Sequence, residues 1–365
     1  TSGEFNTSLG SLSMGVGVVT GDANVAVGYN AGSALTSGIK NILIGKDAGD
    51  SLTSGNFNIA IGTDALQTED GHGKNIAIGH AALEVLNAGA DGNNIAVGYN
   101  AGKAMTTGVF NTLLGAGAGD ALTSATRNVA IGLNALGTED TGSHNVAIGH
   151  QALAVADAGT DAYNVAIGSS AGVAVTTGIN NTIIGGLAGD TLTSGGSNVA
   201  IGQNSLGTET TASSNVAIGT NAMASSQLSG NNIAIGVNTL FNTTHSSLVD
   251  SYNIAIGSNA GNDITVGVRN VLVGAFAGDA ITEGLYNVAI GYSSQGANVD
   301  SDGNVAIGYL ALSTMTGTAG LTHNTAVGYL AGKEMTTGTN NTLVGGLAGD
   351  ALTTGALNVA IGTNA

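Results

Sequence analysis

The chain has no cysteine, no proline and no tryptophan, and only 4% of its residues are aromatic. Without cysteine there can be no disulfide bond and no cysteine-based metal cluster. A globular core normally uses large aromatic side chains, and this chain has few of them. The fold must therefore be built on small and aliphatic residues, which argues against an ordinary globular domain.

Charge is also scarce, and it is of one sign. Only 8% of the residues are charged, yet the formal net charge is −17. Such a surface repels phosphates and anionic lipid, so the sequence predicts no nucleic-acid partner. We find no apolar run of membrane-spanning length, so we expect no membrane insertion within this stretch.

The chain is rich in one motif of five residues. The motif begins with Asn, continues with a β-branched residue and a middle residue, then has Val, Ile or Leu, and ends with Gly. It occurs 21 times. The copies begin at residues 6, 24, 41, 58, 75, 94, 111, 128, 145, 164, 181, 198, 215, 232, 253, 270, 287, 304, 324, 341 and 358. Hydrophobic residues make up 42% of the chain and recur at fixed places, so the 61 glycines do not indicate disorder.

Fifteen of the twenty intervals between copies are 17 residues, which is too short for a helical repeat. The spacing suits one coil of an all-β, parallel β-solenoid (a β-roll or β-helix) with about 21 coils. We expect a single continuous repeat domain over residues 1–365. The repeat pattern runs to both ends, so we also expect this stretch to belong to a longer polypeptide.

Alternation within the motif assigns its side chains to two faces. Because β-branched residues suit a packed sheet, we place the Val/Ile pair in the interior and the middle Ala outside. An exposed strip of small apolar residues then predicts a face that contacts another chain, most simply in a parallel homotrimer. The alternative is a monomeric rod. This candidate contact face comprises Ala26, Ala60, Ala77, Ala96, Ala130 and Ala147.

The recurring Asn predicts a ladder of side-chain amides that bond from coil to coil. In the alternative reading each Asn caps only its own turn. The candidate ladder includes Asn24, Asn41, Asn58, Asn75, Asn94, Asn111, Asn128 and Asn145.

In addition to the 17-residue period, the sequence has a longer period of four coils. Once in four coils a bulky residue replaces the middle Ala, with one added coil around Asn232; these residues are Leu43, Leu113, Ile183, Leu272 and Leu343. Gly-Asp recurs in the same coils, at Asp50, Asp120, Asp190, Asp279 and Asp350. This pattern indicates a duplicated four-coil block.

Few residues of the sequence suggest a catalytic or metal-binding site. His80 and His150 hold equivalent places but lie four coils apart, too far to share a metal ion. We interpret the adjacent carboxylates Glu69-Asp70 and Glu139-Asp140 as solvated acidic loops. The Gly-Asp aspartates read as turn caps, with single calcium sites left open. We therefore predict no catalytic residue, no metal site and no cofactor, and we expect the protein not to be an enzyme.

Tyrosines follow the motif's Gly at Tyr29, Tyr99, Tyr292, Tyr309 and Tyr329. We expect them to point outward. Such rings can stack on sugars, or they can pack against a neighbouring coil or chain.

The Asn-x-Ala-Ile-Gly-x-x-Ala-Leu and Asn-Thr-x-x-Gly-x-x-Ala-Gly units, joined by Thr-Thr-Gly turns, resemble the repeats of bacteriophage tail-fibre proteins. They are also similar to the shorter Val-Ala-Ile-Gly coils of trimeric autotransporter adhesin heads. The second resemblance implies a left-handed β-roll in a homotrimer.

We therefore expect an extracellular, structural shaft or head of an attachment fibre, first of all a phage tail fibre in a virion, with a face for a host-surface glycan or protein. The alternative is a bacterial surface adhesin or extracellular filament subunit. A third possibility is a solenoid that binds ice or polysaccharide.

Overall fold

The computed structural model describes residues 3–15, 17–316 and 320–365. Within these ranges every regular element is a β-strand, and the strands form coils of a parallel β-solenoid with a period of about 17 residues. This confirms the predicted fold class. The described residues include no helix that is long and apolar enough to cross a membrane.

The chain divides into two compact units, Thr1–Asn180 and Asn181–Ala365. Unit 1 contains ten motif strands and unit 2 contains eleven. The strands of unit 1 are β1 Thr7–Leu9, β2 Val25–Val27, β3 Ile42–Ile44, β4 Ile59–Ile61, β5 Ile76–Ile78, β6 Ile95–Val97, β7 Thr112–Leu114, β8 Val129–Ile131, β9 Val146–Ile148 and β10 Val165–Ile167.

Unit 2 carries its motif strands together with four minor ones. The motif strands are β11 Thr182–Ile184, β12 Val199–Ile201, β13 Val216–Ile218, β15 Ile233–Ile235, β17 Ile254–Ile256, β18 Val271–Val273, β19 Val288–Ile290, β21 Val305–Ile307, β23 Thr325–Val327, β24 Thr342–Val344 and β25 Val359–Ile361. The minor strands are β14 Gln227–Gly230, β16 Thr244–Asp250, β20 Ser301–Asp302 and β22 Gly320–Leu321. They pair β14 with β16 and β20 with β22, in the longer coils.

Successive motif strands within each unit pair in parallel and in register, so equivalent residues stack in columns. Val25 lies beside Ile42, and Ala26 lies beside Leu43. The register holds in unit 2, where Ala200 lies beside Ala217. Every position of the coil therefore becomes a line of side chains along the unit.

The Gly that ends each motif forms the corner of the coil. Gly28 has φ +137°, a backbone conformation that favours glycine. A β-carbon placed on Gly28 would also lie 2.4 Å from the carbonyl oxygen of Gly45 in the next coil. Only glycine lets the backbones approach this closely, which explains why the residue never varies within the chain.

The predicted directions of the strand side chains are wrong. The middle alanines point inward and have no exposed surface, as seen at Ala26, Ala60, Ala77, Ala96, Ala130 and Ala147. The flanking Val and Ile residues are half-buried and point outward. The interior of a 17-residue coil is narrow, so it accepts a methyl group where a β-branched pair would not fit. These alanines therefore cannot form a surface that contacts another chain.

The four-coil period arises from the same narrow core. Counting the motif Asn as position 0, position 8 faces the middle residue across the interior. β-Carbons placed on Gly102 and Gly119 would lie 2.7 Å and 2.9 Å from the two δ-carbons of Leu113. Coils with Ala in the middle often carry Leu at position 8 instead, as at Leu66 and Leu83. A bulky middle residue thus requires glycine at position 8, on the opposite side of the interior.

The motif asparagines form a buried ladder that combines the two readings of the sequence. Nδ2 of Asn41 donates to Oδ1 of Asn24 at 3.0 Å, and the backbone N–H of Asn41 donates to the same oxygen at 2.9 Å. Nδ2 of Asn41 also donates to the carbonyl oxygen of Gly55, in the turn of its own coil, at 2.9 Å. Most of these asparagines therefore tie their coil to the preceding one and also close their own turn. Nδ2 of Asn75 instead donates to the carbonyl oxygen of Gly73 in the preceding coil, and Nδ2 of Asn145 has no partner among the described residues.

Candidate functional site

The outward face of the motif strands is an apolar surface that repeats in every coil of each unit. It consists of the residues directly after Asn, which are all Val, Ile or Thr, and those directly before Gly, which are all Val, Ile or Leu. Ile42, Ile95, Leu114 and Ile256 are each 37–38% exposed. A flat, half-exposed sheet face of this kind can pack against a second sheet. We call it the outer sheet face.

Tyrosines after the corner Gly do point outward, as expected, and in unit 2 they form a column. Tyr292 and Tyr309 stack with ring centroids 5.6 Å apart, and Tyr309 stacks on Tyr329 at 5.5 Å. The planes differ by only 17° and 11°, so neighbouring rings cover one another's faces. This tyrosine column therefore presents ring edges and hydroxyl groups to a ligand, and few ring faces.

In parts of a second column, formed by the residue before each Asn, aromatic and cationic residues are neighbours. Nζ of Lys40 lies 5.3 Å from the ring centre of Phe57, and the guanidinium of Arg127 lies 5.7 Å from that of Phe110. These exposed cation–π pairs each contribute about 0.5–1 kcal/mol. Sequence reasoning did not single out this column, although aligning the coils on Asn would have shown it.

Two surface cavities lie at the coil edge between positions 6 and 10, one in each unit. The cavity of unit 2 has a volume of about 240 Å³ and is lined by Asn259, Asn262, Asp263, Phe276 and Asp279. The cavity of unit 1 has a volume of about 330 Å³. Its lining residues are Asp120, Asn134, Gly137, Thr138, Gln151, Ala154 and Val155. Of the two, only the unit 2 cavity has an aromatic wall.

The Gly-Asp aspartates contribute to both cavities through Asp120 and Asp279. Burial raises the pKa of Asp50, Asp120, Asp190 and Asp279 above the ordinary value of a carboxyl group. In the part of the chain that the structure describes, Oδ1 of Asp190 and of Asp279 is shielded from solvent and has no hydrogen-bond partner. One carboxylate oxygen of Asp190 and one of Asp279 are thus left without a donor among the described residues.

The interpretation of Glu69 and Glu139 as solvated is wrong, because both side chains are fully buried. Glu209 is buried in the same way, 70 residues further on. All three stand at position 11, where most other coils place Leu, Met, Ile or Val. Alignment of the coils would have revealed this substitution of an apolar core residue by a carboxylate.

Backbone N–H groups satisfy these buried carboxylates. Oε1 of Glu209 accepts hydrogen bonds from the N–H groups of Thr210, Thr211 and Ala212 at 2.9–3.2 Å. Oε1 of Glu139 accepts one from Gly142 at 2.7 Å. Burial nevertheless raises the pKa of Glu139.

Among the residues that the structure describes, two groups place possible metal-binding atoms within 4.8 Å of one another. They are Glu69, Asp70 and His72 in one coil, and Glu139, Asp140 and Asp157 in another. In the first group, Oε1 of Glu69 lies 3.0 Å from the N–H of His72 and 3.2 Å from its Nδ1. The protein thus already supplies donors to Glu69, and the geometry alone does not require a cation.

Comparison with known proteins yields no assignment, since no protein-family model and no curated protein matches the chain.

Proposed function

We propose that this chain is a structural part of an extracellular attachment fibre, first of all a phage tail fibre, in which solenoids associate side by side as a homotrimer. Its role is mechanical and not catalytic: it spaces and presents a surface to the host. The observation that carries this proposal is the outer sheet face, which repeats through the coils of each unit.

The surface that we propose for association is the outer sheet face, and not the strip of middle alanines expected from the sequence. Aliphatic side chains at two positions of every coil leave a strip that water solvates poorly. Sheets of this kind pack face to face at about 10 Å, with the side chains of both faces interleaved. Three copies that bury this strip about one axis would remove it from water.

A bacterial adhesin or filament subunit would use the same contact, so it stays the second candidate. Ice binding is disfavoured by the turn threonines. Oγ1 of Thr36 donates to the carbonyl oxygen of Thr53 at 3.1 Å, and Oγ1 of Thr53 donates to that of Asp70 at 2.8 Å. These hydroxyl groups bond within the solenoid and are not offered as a free row.

Sedimentation equilibrium of the full chain at micromolar concentration tests the proposal. We expect a trimer, and we expect Ile42→Lys combined with Ile95→Lys to shift it to monomer while far-UV circular dichroism keeps its β signal. Leu133→Lys, at an exposed site beside the corner Gly of β8, is the matched control and should leave the trimer intact. A wild-type chain that sediments as a monomer would overturn the proposal.

A further inference from the structure

The cavity of unit 2 is lined chiefly by hydrogen-bond acceptors. Asp263 and Asp279 bring two carboxylates to it, and Asn259 and Asn262 bring two side-chain amides. Asn262 commits its Nδ2 to the backbone carbonyl oxygen of Asn238 at 3.0 Å, which leaves its carbonyl oxygen for a ligand. A ligand that suits these groups must therefore donate several hydrogen bonds.

Asp279 is the residue that most needs such a donor. Its Oδ1 atom is shielded from solvent and has no partner among the residues that the structure describes. Burial raises the pKa of Asp279, and the nearby charge of Asp263 raises it further, although hydrogen bonds from the backbone N–H groups of Asp279 and Ala280 lower it in part. A buried acceptor without a donor is costly, so a ligand hydroxyl placed here would gain affinity.

Phe276 adds an apolar wall to this polar cavity. It stands at position 6 of the β18 coil and is 36% exposed. Its ring meets Tyr292 edge to face, with centroids 5.8 Å apart, so it begins the line of rings that continues through Tyr309 and Tyr329. The cavity is thus continuous with a row of tyrosines along the unit.

A sugar ring has this combination of groups, with hydroxyls at its edge and an apolar C–H face. The volume of about 240 Å³ is below the range typical of drug-sized ligands, which suits one monosaccharide unit. Two carboxylates and a net charge of −17 disfavour an anionic sugar. A calcium ion would use the carboxylates but gain nothing from Phe276.

We propose that Asn259, Asn262, Asp263, Phe276 and Asp279 form a binding subsite for a neutral glycan, whose chain continues along the tyrosine column. This inference rests on the proposed attachment function and names the class of receptor it would recognise. One sugar unit enters the cavity and donates hydroxyl groups to Asp263 and Asp279, while Phe276 packs against its C–H face. Ring edges and hydroxyls of the tyrosine column contact the following units.

The test uses the full chain on an array of neutral and acidic oligosaccharides, followed by calorimetric titration of the best binder. Phe276→Asn and Asp279→Asn are the test variants. Asn tolerates the positive φ of 56° at position 276, and the aspartate change keeps the side-chain shape. Leu187→Asn and Asp190→Asn are matched controls, since they hold the same coil positions in the β11 coil.

We expect neutral oligosaccharides to bind, each test variant to weaken the affinity at least tenfold, and both controls to bind as the wild type does. The subsite is refuted by binding to no array glycan, by binding only to acidic glycans, or by test variants that bind as tightly as wild type. It is also refuted if calcium alone binds and Asp279→Asn abolishes that binding while no sugar binds.

Adsorption to bacterial cells separates this inference from the proposed function. A trimer that still adsorbs to cells with Phe276→Asn in place would remove the subsite and leave the attachment function standing. A chain that neither trimerises nor adsorbs to any cell would remove the attachment function itself.

Discussion

Leu43 occupies the space that Gly32 leaves open in the preceding coil. A β-carbon on Gly32 would lie 2.6 Å from Cδ1 of Leu43, and one on Gly49 would lie 2.9 Å from its Cδ2. One leucine thus packs over two glycines across the narrow interior. The bulky residue and the glycines are therefore one packing unit, repeated once per four-coil block.

This packing can be tested by moving the leucine to the opposite wall. Leu43→Ala should destabilise unit 1 by about 2–5 kcal/mol, because it leaves a cavity that the coil cannot close. Adding Gly49→Leu should recover part of that loss, since it recreates the arrangement of Ala77 with Leu83. Leucine tolerates the backbone there: Leu83 has φ 50° and Gly49 has φ 53°. Chemical denaturation of both variants measures the effect, and a double variant no better than Leu43→Ala would contradict this account.

The number of coils and the strand positions could be predicted because both follow from spacing alone. A 17-residue period and the invariant Asn and Gly define one coil, and Gly28 is at the corner where it was expected. The directions of the side chains could not be predicted from β propensity. Propensity describes how a residue suits a pleated surface and does not say which face of the strand is enclosed.

The correct face was nevertheless encoded in the motif. Asn24 and Ala26 are two residues apart, so they share a face of the strand. A ladder of side-chain amides is strong only where water is excluded, so Asn24 and with it Ala26 must point inward. Glu139 shows what the sequence could not predict. Its burial follows from its coil position, while the donor that satisfies it comes from the turn at Gly142, which only the structure reveals.

The asparagine ladder makes a second prediction, at Asn198. Its Oδ1 accepts the backbone N–H of Asn215 at 2.9 Å, and its Nδ2 donates to the carbonyl oxygen of Ala212 at 3.0 Å. Asn198→Ala leaves both buried groups without these partners, so the free energy of unfolding should fall by about 2–6 kcal/mol, at about 1–3 kcal/mol per unsatisfied group.

Amide hydrogen exchange shows which coils lose stability in Asn198→Ala. The amide of Asn215 should exchange faster in Asn198→Ala, because neighbouring coils stabilise one another locally. Gln203→Ala, an exposed change in the same coil, serves as the control and should alter neither stability nor exchange at Asn215. Equal protection of Asn215 in the two variants would show that the ladder contributes little.

Buried carboxylates predict that mild acid stabilises the protein. Because burial raises the pKa of Glu139 in the folded state, its contribution to stability is complete below its unfolded pKa and is lost as the pH rises through its folded pKa. Asp50, Asp120, Asp190 and Asp279 act in the same direction. The melting temperature should therefore increase from pH 7 towards pH 5, by differential scanning calorimetry.

Glu139→Gln separates this residue from the general effect of acid on a chain of net charge −17. The amide keeps an acceptor for the N–H of Gly142 but cannot titrate, so the rise in melting temperature should be smaller than in the wild type. Glu283→Gln removes an exposed carboxylate and should retain more of the rise. An identical pH profile for Glu139→Gln and Glu283→Gln would rule out the buried glutamate as a source.

Because the middle alanines point inward and the neighbouring isoleucines point outward, we expect substitutions at these adjacent positions to differ in their effect on stability. Ala96→Val adds two methyl groups to the closed core beside Leu113 and should cost about 1–3 kcal/mol through overpacking. Ile95→Thr, on the outer sheet face, should change the stability of the monomer by less than about 0.5 kcal/mol. Threonine already holds this position in the next coil, at Thr112. Denaturation of dilute protein measures both changes, and a larger loss from Ile95→Thr than from Ala96→Val would reverse the assignment of the two faces.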